Sequence, residues 1–276
     1  MINKVNIPVE AIYAVGDIHG CFSSLVSMIK TYNINHSGII VCGDCGLGFY
    51  SKEATKVALE KLNRLCRDRQ TYIIMFRGNH DDPAFFNNKI VTTKYILPVP
   101  DYTILNDTIL MVGGATSIDR KWRMSEKQRM MDAYLKWHKG ATEEDAATHT
   151  NNIYWADEAP VFNQDAFNEI NKQGIVIKHV CTHTSPSFCE PQSKDGIEAW
   201  GKNDETLFAD IDYERHVMDL IWDELKVVQN QPLESWTYGH YHKHCTDVRD
   251  DVKFTMLGAV ITDGMRPDWI EIRDHE

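Results

Sequence analysis

The chain predicts an α/β fold built on parallel strands, and three observations carry that reading. Short continuous apolar runs at residues 11–15, 39–42 and 72–76 have the length and composition of buried strands. Between them lie two amphipathic helical patterns. Phe22, Leu25, Val26, Ile29 and Tyr32 share one face of the first; Ala54, Val57, Ala58, Leu62, Leu65 and Cys66 form the stripe of the second, over about residues 53–69. Strand–helix alternation of this kind pairs strands in parallel and packs the helices on the sheet. Finally, the strand runs end in polar clusters containing Gly, Asp, Asn and His, which is where α/β sheets carry their sites.

The later elements follow in order. Runs at 102–105 and 109–112 flank Asn106-Asp107 and read as a hairpin, whose second strand ends at Gly113-Gly114-Ala115. Residues 117–170 then break the rhythm. A helical stretch at 125–138 is stopped by Gly140, a short acidic helix spans 142–149, and 151–162 is rich in aromatics and acids. We read 117–170 as a cap insertion over the strand ends, within one domain spanning 1–276; a peripheral excursion is the alternative. A second sheet is expected from runs at 175–181, 236–238, 252–257 and 269–272. A helix at 213–228 buries Val217, Met218, Ile221 and Leu225, and 186–202 reads as a polar surface loop.

Bulk properties bound the function. With 43% hydrophobic residues among 276, the chain can bury a sizeable core. Its 40 acidic against 29 basic residues give a formal net charge of −11, which argues against an extended nucleic-acid surface. The first residues lack the apolar region of a signal peptide, and no apolar run reaches the length of about 18 that spans a membrane. Seven cysteines without framework spacing suit a reducing, cytoplasmic setting. Cys42-Gly43-Asp44-Cys45 matches C-x-x-C, but no second pair completes a thiolate site, so these thiols are expected to pack.

Five strand-end clusters carry the chemistry: Gly16-Asp17-Ile18-His19-Gly20, Gly43-Asp44, Gly78-Asn79-His80-Asp81, Thr182-His183 and Gly239-His240-Tyr241-His242. If the extended conformation persists, the i,i+2 spacing of Asp17 and His19 aims both side chains the same way. Carboxylate, imidazole and amide oxygen together suit manganese, iron or zinc better than calcium. This series, over about residues 13–245, resembles the calcineurin-like metallophosphoesterases. The resemblance implies a four-layer αββα sandwich of two mixed sheets. It further implies two divalent ions, with manganese expected and iron, zinc or nickel as alternatives. Asp17, His19 and His242 would hold one, Asn79, His183 and His240 the other, and Asp44 would bridge them. Such a pair acidifies a shared water for attack on phosphorus. His80 matches the family's histidine that contacts substrate or protonates the leaving oxygen.

The implied function is hydrolysis of a small phosphomonoester, phosphodiester or nucleotide. Alternatives are a nuclease on short or nicked nucleic acid, and a catalytically silent binding module, which the complete ligand set disfavours. One departure bears on substrate. Where the protein-phosphatase branch has Asp-x-x-Asp-Arg-Gly, this chain runs Asp44-Cys45-Gly46-Leu47-Gly48-Phe49, without the second carboxylate or the arginine. A protein Ser/Thr phosphatase is therefore disfavoured, and cationic groups must come from elsewhere. The segment Gly113 to Arg123 resembles one in a subset of bacterial and phage relatives, and it makes Arg120 and Arg123 candidates for gripping phosphate. For each of Arg120, Lys121 and Arg123 a solvated charge run is an equal alternative. His179 reads as a packed strand residue, His244 as a neighbour of the ligands, and Asp81 as a weak candidate to orient His80.

Overall fold

A computed structural model describes residues 2–87, 90, 93–150, 152–260 and 267–273. The first half alternates as expected: β1 (Asn3–Val5), β2 (Ala11–Val15), α1 (Phe22–Thr31), β3 (Ser37–Cys42), α2 (Lys52–Arg69), β4 (Tyr72–Phe76) and β5 (Ile96–Pro98). Strands β2, β3, β4 and β5 pair in parallel in that order. The expected hairpin is β6 (Thr103–Leu105) and β7 (Ile109–Val112), antiparallel, with Asn106 and Asp107 at φ 47° and 58°. Then follow α3 (Arg120–Trp137), α4 (Glu143–His149), α5 (Gln164–Gln173), β8 (His179–Thr182), α6 (Ile197–Gly201) and α7 (Leu207–Asp223). The chain closes with β9 (Ser235–Tyr238), β10 (Cys245–Arg249), β11 (Val252–Met256) and β12 (Trp269–Ile272).

Two mixed sheets result, ordered β1-β6-β7-β8-β9-β11-β10 and β12-β2-β3-β4-β5. The strand period of two sorts each strand's side chains between two cores. Ile39, Val41, Ile73 and Met75 face the layer of α1 and α2, together with Leu25, Ile29, Leu59 and Leu62. Their neighbours Ile40, Cys42, Ile74 and Phe76 meet Leu105, Ile109, Met111 and Cys181 of the other sheet. On the far side Leu110, Val112, Val180 and Trp236 pack against Phe167 and Ile170 of α5 and Val217, Met218 and Ile221 of α7. The order of layers is therefore helix, sheet, sheet, helix.

Several expectations change. Strand 269–272 does not join the second sheet: β12 returns antiparallel to the edge of β2, where Trp269 meets Tyr13 edge-on at 5.3 Å. The run at 175–181 becomes strand only from His179, because Gln231 takes over the preceding backbone. Its side chain accepts from Ile177 N and donates to Ile175 O. The α2 stripe is rotated, so that Thr55, Leu59, Leu62 and Cys66 are buried while Val57 is half exposed. Helix α3 starts at Arg120, earlier than residue 125, and buries none of its side chains. Helix α5 lies in the outer helical layer, so the excursion from the layers ends before it. No helix among the described residues is long and apolar enough to cross a membrane.

Candidate metal centre

The ends of β2, β3, β4, β8 and β9 deliver the seven expected ligands to one place, but not by extended backbone. His19, Asp44, His240 and His242 all have positive φ, at 45°, 45°, 69° and 60°. For residues with a β-carbon this conformation costs on the order of 1–3 kcal/mol each and persists only where the surroundings fix it. Here Ile18 N and His19 N both donate to Asp44 O, His80 N donates to Asp44 Oδ1 at 2.9 Å, and His240 N donates to Asp17 Oδ1 at 3.0 Å. The i,i+2 expectation for Asp17 and His19 is thus corrected: the chain turns sharply at His19 and the two still converge. Glycine is required on steric grounds at several of these turns: a β-carbon at Gly43 would strike the His183 ring, one at Gly78 the Asp44 carboxylate and one at Gly239 the Asp17 carboxylate.

The donor atoms form two groups joined by Asp44. Asp17, His19, Asp44 and His242 each offer one atom, all within 4.8 Å of one another. Within this group the Nε2 atoms of His19 and His242 approach to 3.2 Å, and His242 Nε2 lies 3.2 Å from Asp17 Oδ2. In the second group Asn79 Oδ1 lies 3.0 Å from both His183 Nε2 and His240 Nδ1. Asp44 Oδ1 is 3.4 Å from His183 Nε2, and Asp44 Oδ2 is 3.8 Å from His19 Nδ1. Asp44 Oδ2 is buried and has no hydrogen-bond partner among the described residues. An orphaned carboxylate oxygen inside a ring of imidazoles is costly by itself and fits a cation.

Neighbouring groups hold these ligands in metal-binding form. His183 Nδ1 lies 2.8 Å from Cys42 O, which accepts its proton and leaves the Nε2 lone pair free. Asn79 Nδ2 donates to Ser117 Oγ at 2.8 Å, so its Oδ1 turns to the histidines. Ser117 is fixed in turn by Glu158, which accepts from its N–H and its hydroxyl, both at 2.7 Å. Burial pushes the Glu158 carboxyl up to about 8. Burial also lowers His19 and, more strongly, His240. Burial alone would raise Asp44, but His80, His183 and His19 outweigh it and hold the carboxyl ionised. Neutral imidazole and ionised carboxylate are the forms that ligate a metal.

The family model for calcineurin-like phosphoesterases matches residues 11–254. The chain belongs to that family. It is a metal-dependent hydrolase of phosphoric esters. No curated protein sequence matches it. Among solved structures, a protein serine/threonine phosphatase from Saccharomyces cerevisiae is 13% identical, with TM-score 0.37, covering 100% of this chain and 85% of the other. Phosphopantetheinyl hydrolase from Mycobacterium tuberculosis is 14% identical, with TM-score 0.34, covering 91% and 90%. A cold-active protein-tyrosine phosphatase of a Shewanella species is 11% identical, with TM-score 0.34, covering 92% and 72%. Likenesses this distant say nothing of this phosphoesterase's substrate.

Around the metal centre, the substrate-side candidates separate. Arg123 Nη2 donates to His80 Nε2 at 2.9 Å, while its other atoms hold Asp119 and Ile153 O. Arg120 is a correction. Its guanidinium turns away to Asp204 at 2.5 Å and Asp210 at 2.7 Å, pinning α3 to the start of α7. Asp81 does not orient His80 either. Its carboxylate accepts from the backbone N–H groups of Gly78, Cys45, Gly46 and Leu47, strapping two ligand loops together. His179 packs at 2.9 Å from Ser235 Oγ, and His244 pairs with Asp268 at 2.6 Å. Cys42 and Cys45 are fully buried; a hydrogen bond with Cys181 and then burial raise the Cys42 thiol, and burial raises that of Cys45, which suits packing.

Sequence reading missed three features of the site. Ser117 and Glu158 stood out only as parts of segments similar to a subset of relatives, and their place behind Asn79 had no mark in the sequence. Lys194 sat in what read as a surface loop, yet its charge acts on Asp44, His80 and His240. The loop is built to bring it there: Arg215 donates to the carbonyls of Pro186, Ser187, Cys189 and Pro191, and Asp195 pairs with Lys243 next to His242. Phe49 and Trp155, far apart in the chain, meet beside His80. A basic residue flanked by polar ones has no periodicity to betray it.

Proposed function

We propose that this phosphoesterase is a dinuclear, manganese-preferring enzyme of the cytoplasm that hydrolyses small phosphorylated substrates. Asp17, His19 and His242 would hold one ion, Asn79, His183 and His240 the second, and Asp44 both. The single observation that carries this reading is the buried, unpartnered Asp44 Oδ2 lying between two convergent donor groups. When bound, the metals supply an acidified water and neutralise charge on the phosphoryl oxygens. The chain's own residues do the rest. Asn79 is aimed by Ser117 and Glu158, and Arg123 with Lys194 offers positive charge beside the cluster. The part of segment 117–170 that precedes α5 acts as a cap through Arg123. Net charge of −11 speaks against the nuclease reading. The test is hydrolysis of p-nitrophenyl phosphate and its bis-ester with added manganese, alongside elemental analysis; two metals per chain with turnover is the expected result.

His80 is assigned to substrate contact, not proton donation. Arg123 Nη2 lies 2.9 Å from His80 Nε2 and 3.4 Å from its Nδ1, and burial, aided by that cation, lowers the imidazole to about 3, which makes it a poor proton donor. Replacing His80 by Ala should lower kcat by about 10²-fold on p-nitrophenyl and alkyl phosphates alike. A loss confined to the alkyl ester, whose leaving group needs a proton, would restore the general-acid role. Arg123→Ala should lower kcat/KM by roughly 10- to 100-fold, the range of a charge-assisted contact worth about 1.5–3 kcal/mol. Arg120→Ala should instead reduce thermal stability and change kcat/KM less than about twofold, because its charge is already met by Asp204 and Asp210.

A further inference from the structure

Beside the metal centre lies a cavity of about 220 Å³ lined by Phe49, His80, Arg123, Asn152, Ile153 and Trp155. We propose that it receives a planar aromatic leaving group, so that the substrates are aryl or nucleoside phosphates and not simple alkyl ones. This rests on the phosphoesterase reading above.

Size decides first. Pockets for whole drug-sized ligands run to about 300–1,000 Å³, so this one takes a single ring system. The walls decide next. Phe49, Ile153 and Trp155 are apolar, while His80 and Arg123 supply the polar end. That polar end is the side nearest the ligands: the His80 ring lies 5.5 Å from the His19 ring, and Phe49 stacks over His19 at 6.1 Å. A phosphoryl group held at this centre would therefore have His80 and the cavity beside its ester oxygen.

The pocket is also specific to this chain's departure from the protein-phosphatase motif. Gly48 stands where that motif has its arginine. The space goes to Trp155: a β-carbon at Gly48 would lie 3.2 Å from Trp155 Cη2 and 2.8 Å from Asp82 Cβ. Loss of one cation thus makes room for one aromatic wall, and Arg123 enters from α3 to replace the charge. Its three anchors, Asp119, Ile153 O and His80, set the guanidinium before any ligand arrives. Flat rings prefer such faces, since aromatic pairs gain from offset or edge contacts beyond the area they bury.

The experiment measures binding apart from turnover. Full-length protein with manganese is titrated by calorimetry with phenylphosphonate and with methylphosphonate, which share a head group. The phenyl compound should bind at least about 10-fold more tightly. Ile153→Trp, which fills the cavity, and Trp155→Ala, which removes a wall, should each shrink that ratio toward one, with circular dichroism confirming the fold. Equal affinities in the wild type, or a ratio untouched by both variants, would overturn the pocket. Turnover of p-nitrophenyl phosphate in the same samples tests the underlying reading separately. Preferential phenyl binding without turnover keeps the pocket and removes the catalytic assignment; turnover with equal binding does the reverse.

Discussion

Asp44→Asn should empty both metal positions together and lower kcat by at least about 10³-fold. The amide has nearly the shape of the carboxylate and can still accept from His80 N, so the loops it braces should hold. What it lacks is charge. At about 4 Å and an effective dielectric near 20, each unit-charge pair is worth about 4 kcal/mol, and in the proposed arrangement a bridging carboxylate would face two divalent ions. Without it two ions held there would repel each other with no protein carboxylate between them. In chelator the variant should melt no lower than the wild type, because the substitution removes a carboxylate oxygen that is buried and unpartnered. Added manganese should then raise the melting temperature of the wild type and not of the variant. Two tightly held metals per chain in an active Asp44→Asn protein would overturn the bridging assignment.

The convergence of the candidate ligands was legible in the sequence because they obey short local rules. Each follows an apolar run within one to four residues, and the runs stop there because a polar group at a strand end can be held by a loop. The layer order was legible too, through the alternation of helical and extended periods, with the four-layer form supplied by family resemblance. What the pattern hid were contacts between distant segments. Nothing local marks residues 269–272 as an edge strand beside β2, since an apolar run carries no label for its partner. Arg120 and Arg123 look alike in the sequence and, three positions apart on a helix, share a face, yet their long side chains reach different partners, one Asp204 and the other His80. The left-handed backbone at His19, Asp44, His240 and His242 was also invisible, because Asp and His, though commoner there than most side chains, mark positive φ far less surely than glycine does. Those strained residues lie where the chain must reverse direction to present a donor atom.

Asp81→Ala should be the most destabilising single substitution near the site, by roughly 3–5 kcal/mol. In the sequence Asp81 is the last residue of a motif and seemed a neighbour for His80. In the fold it is buried and accepts four backbone N–H groups, from Gly78 at 2.8 Å, Cys45 at 3.0 Å, Gly46 at 2.8 Å and Leu47 at 2.9 Å. Three of these donors belong to the turn after β3 and one to the turn after β4, so a single carboxylate joins the loops bearing Asp44 and Asn79. Alanine would orphan all four donors in a site with little room for water, each at about 1–3 kcal/mol before relaxation. Relaxation should recover part of that by letting the Cys45–Leu47 turn open, which releases Asp44 and Asn79 from their shared geometry. Asp81→Asn should be intermediate, since one oxygen remains to accept while its NH₂ group is turned on the other donors. Heat or denaturant unfolding in chelator isolates this effect from metal binding; for a chain of this size the alanine variant should melt on the order of 10 °C lower. A shift under about 2 °C would mean that the four bonds contribute little and that the ligand loops are held by other contacts. Manganese affinity measured on the folded fraction gives the second readout, and it should fall in Asp81→Ala although the substitution removes no ligand.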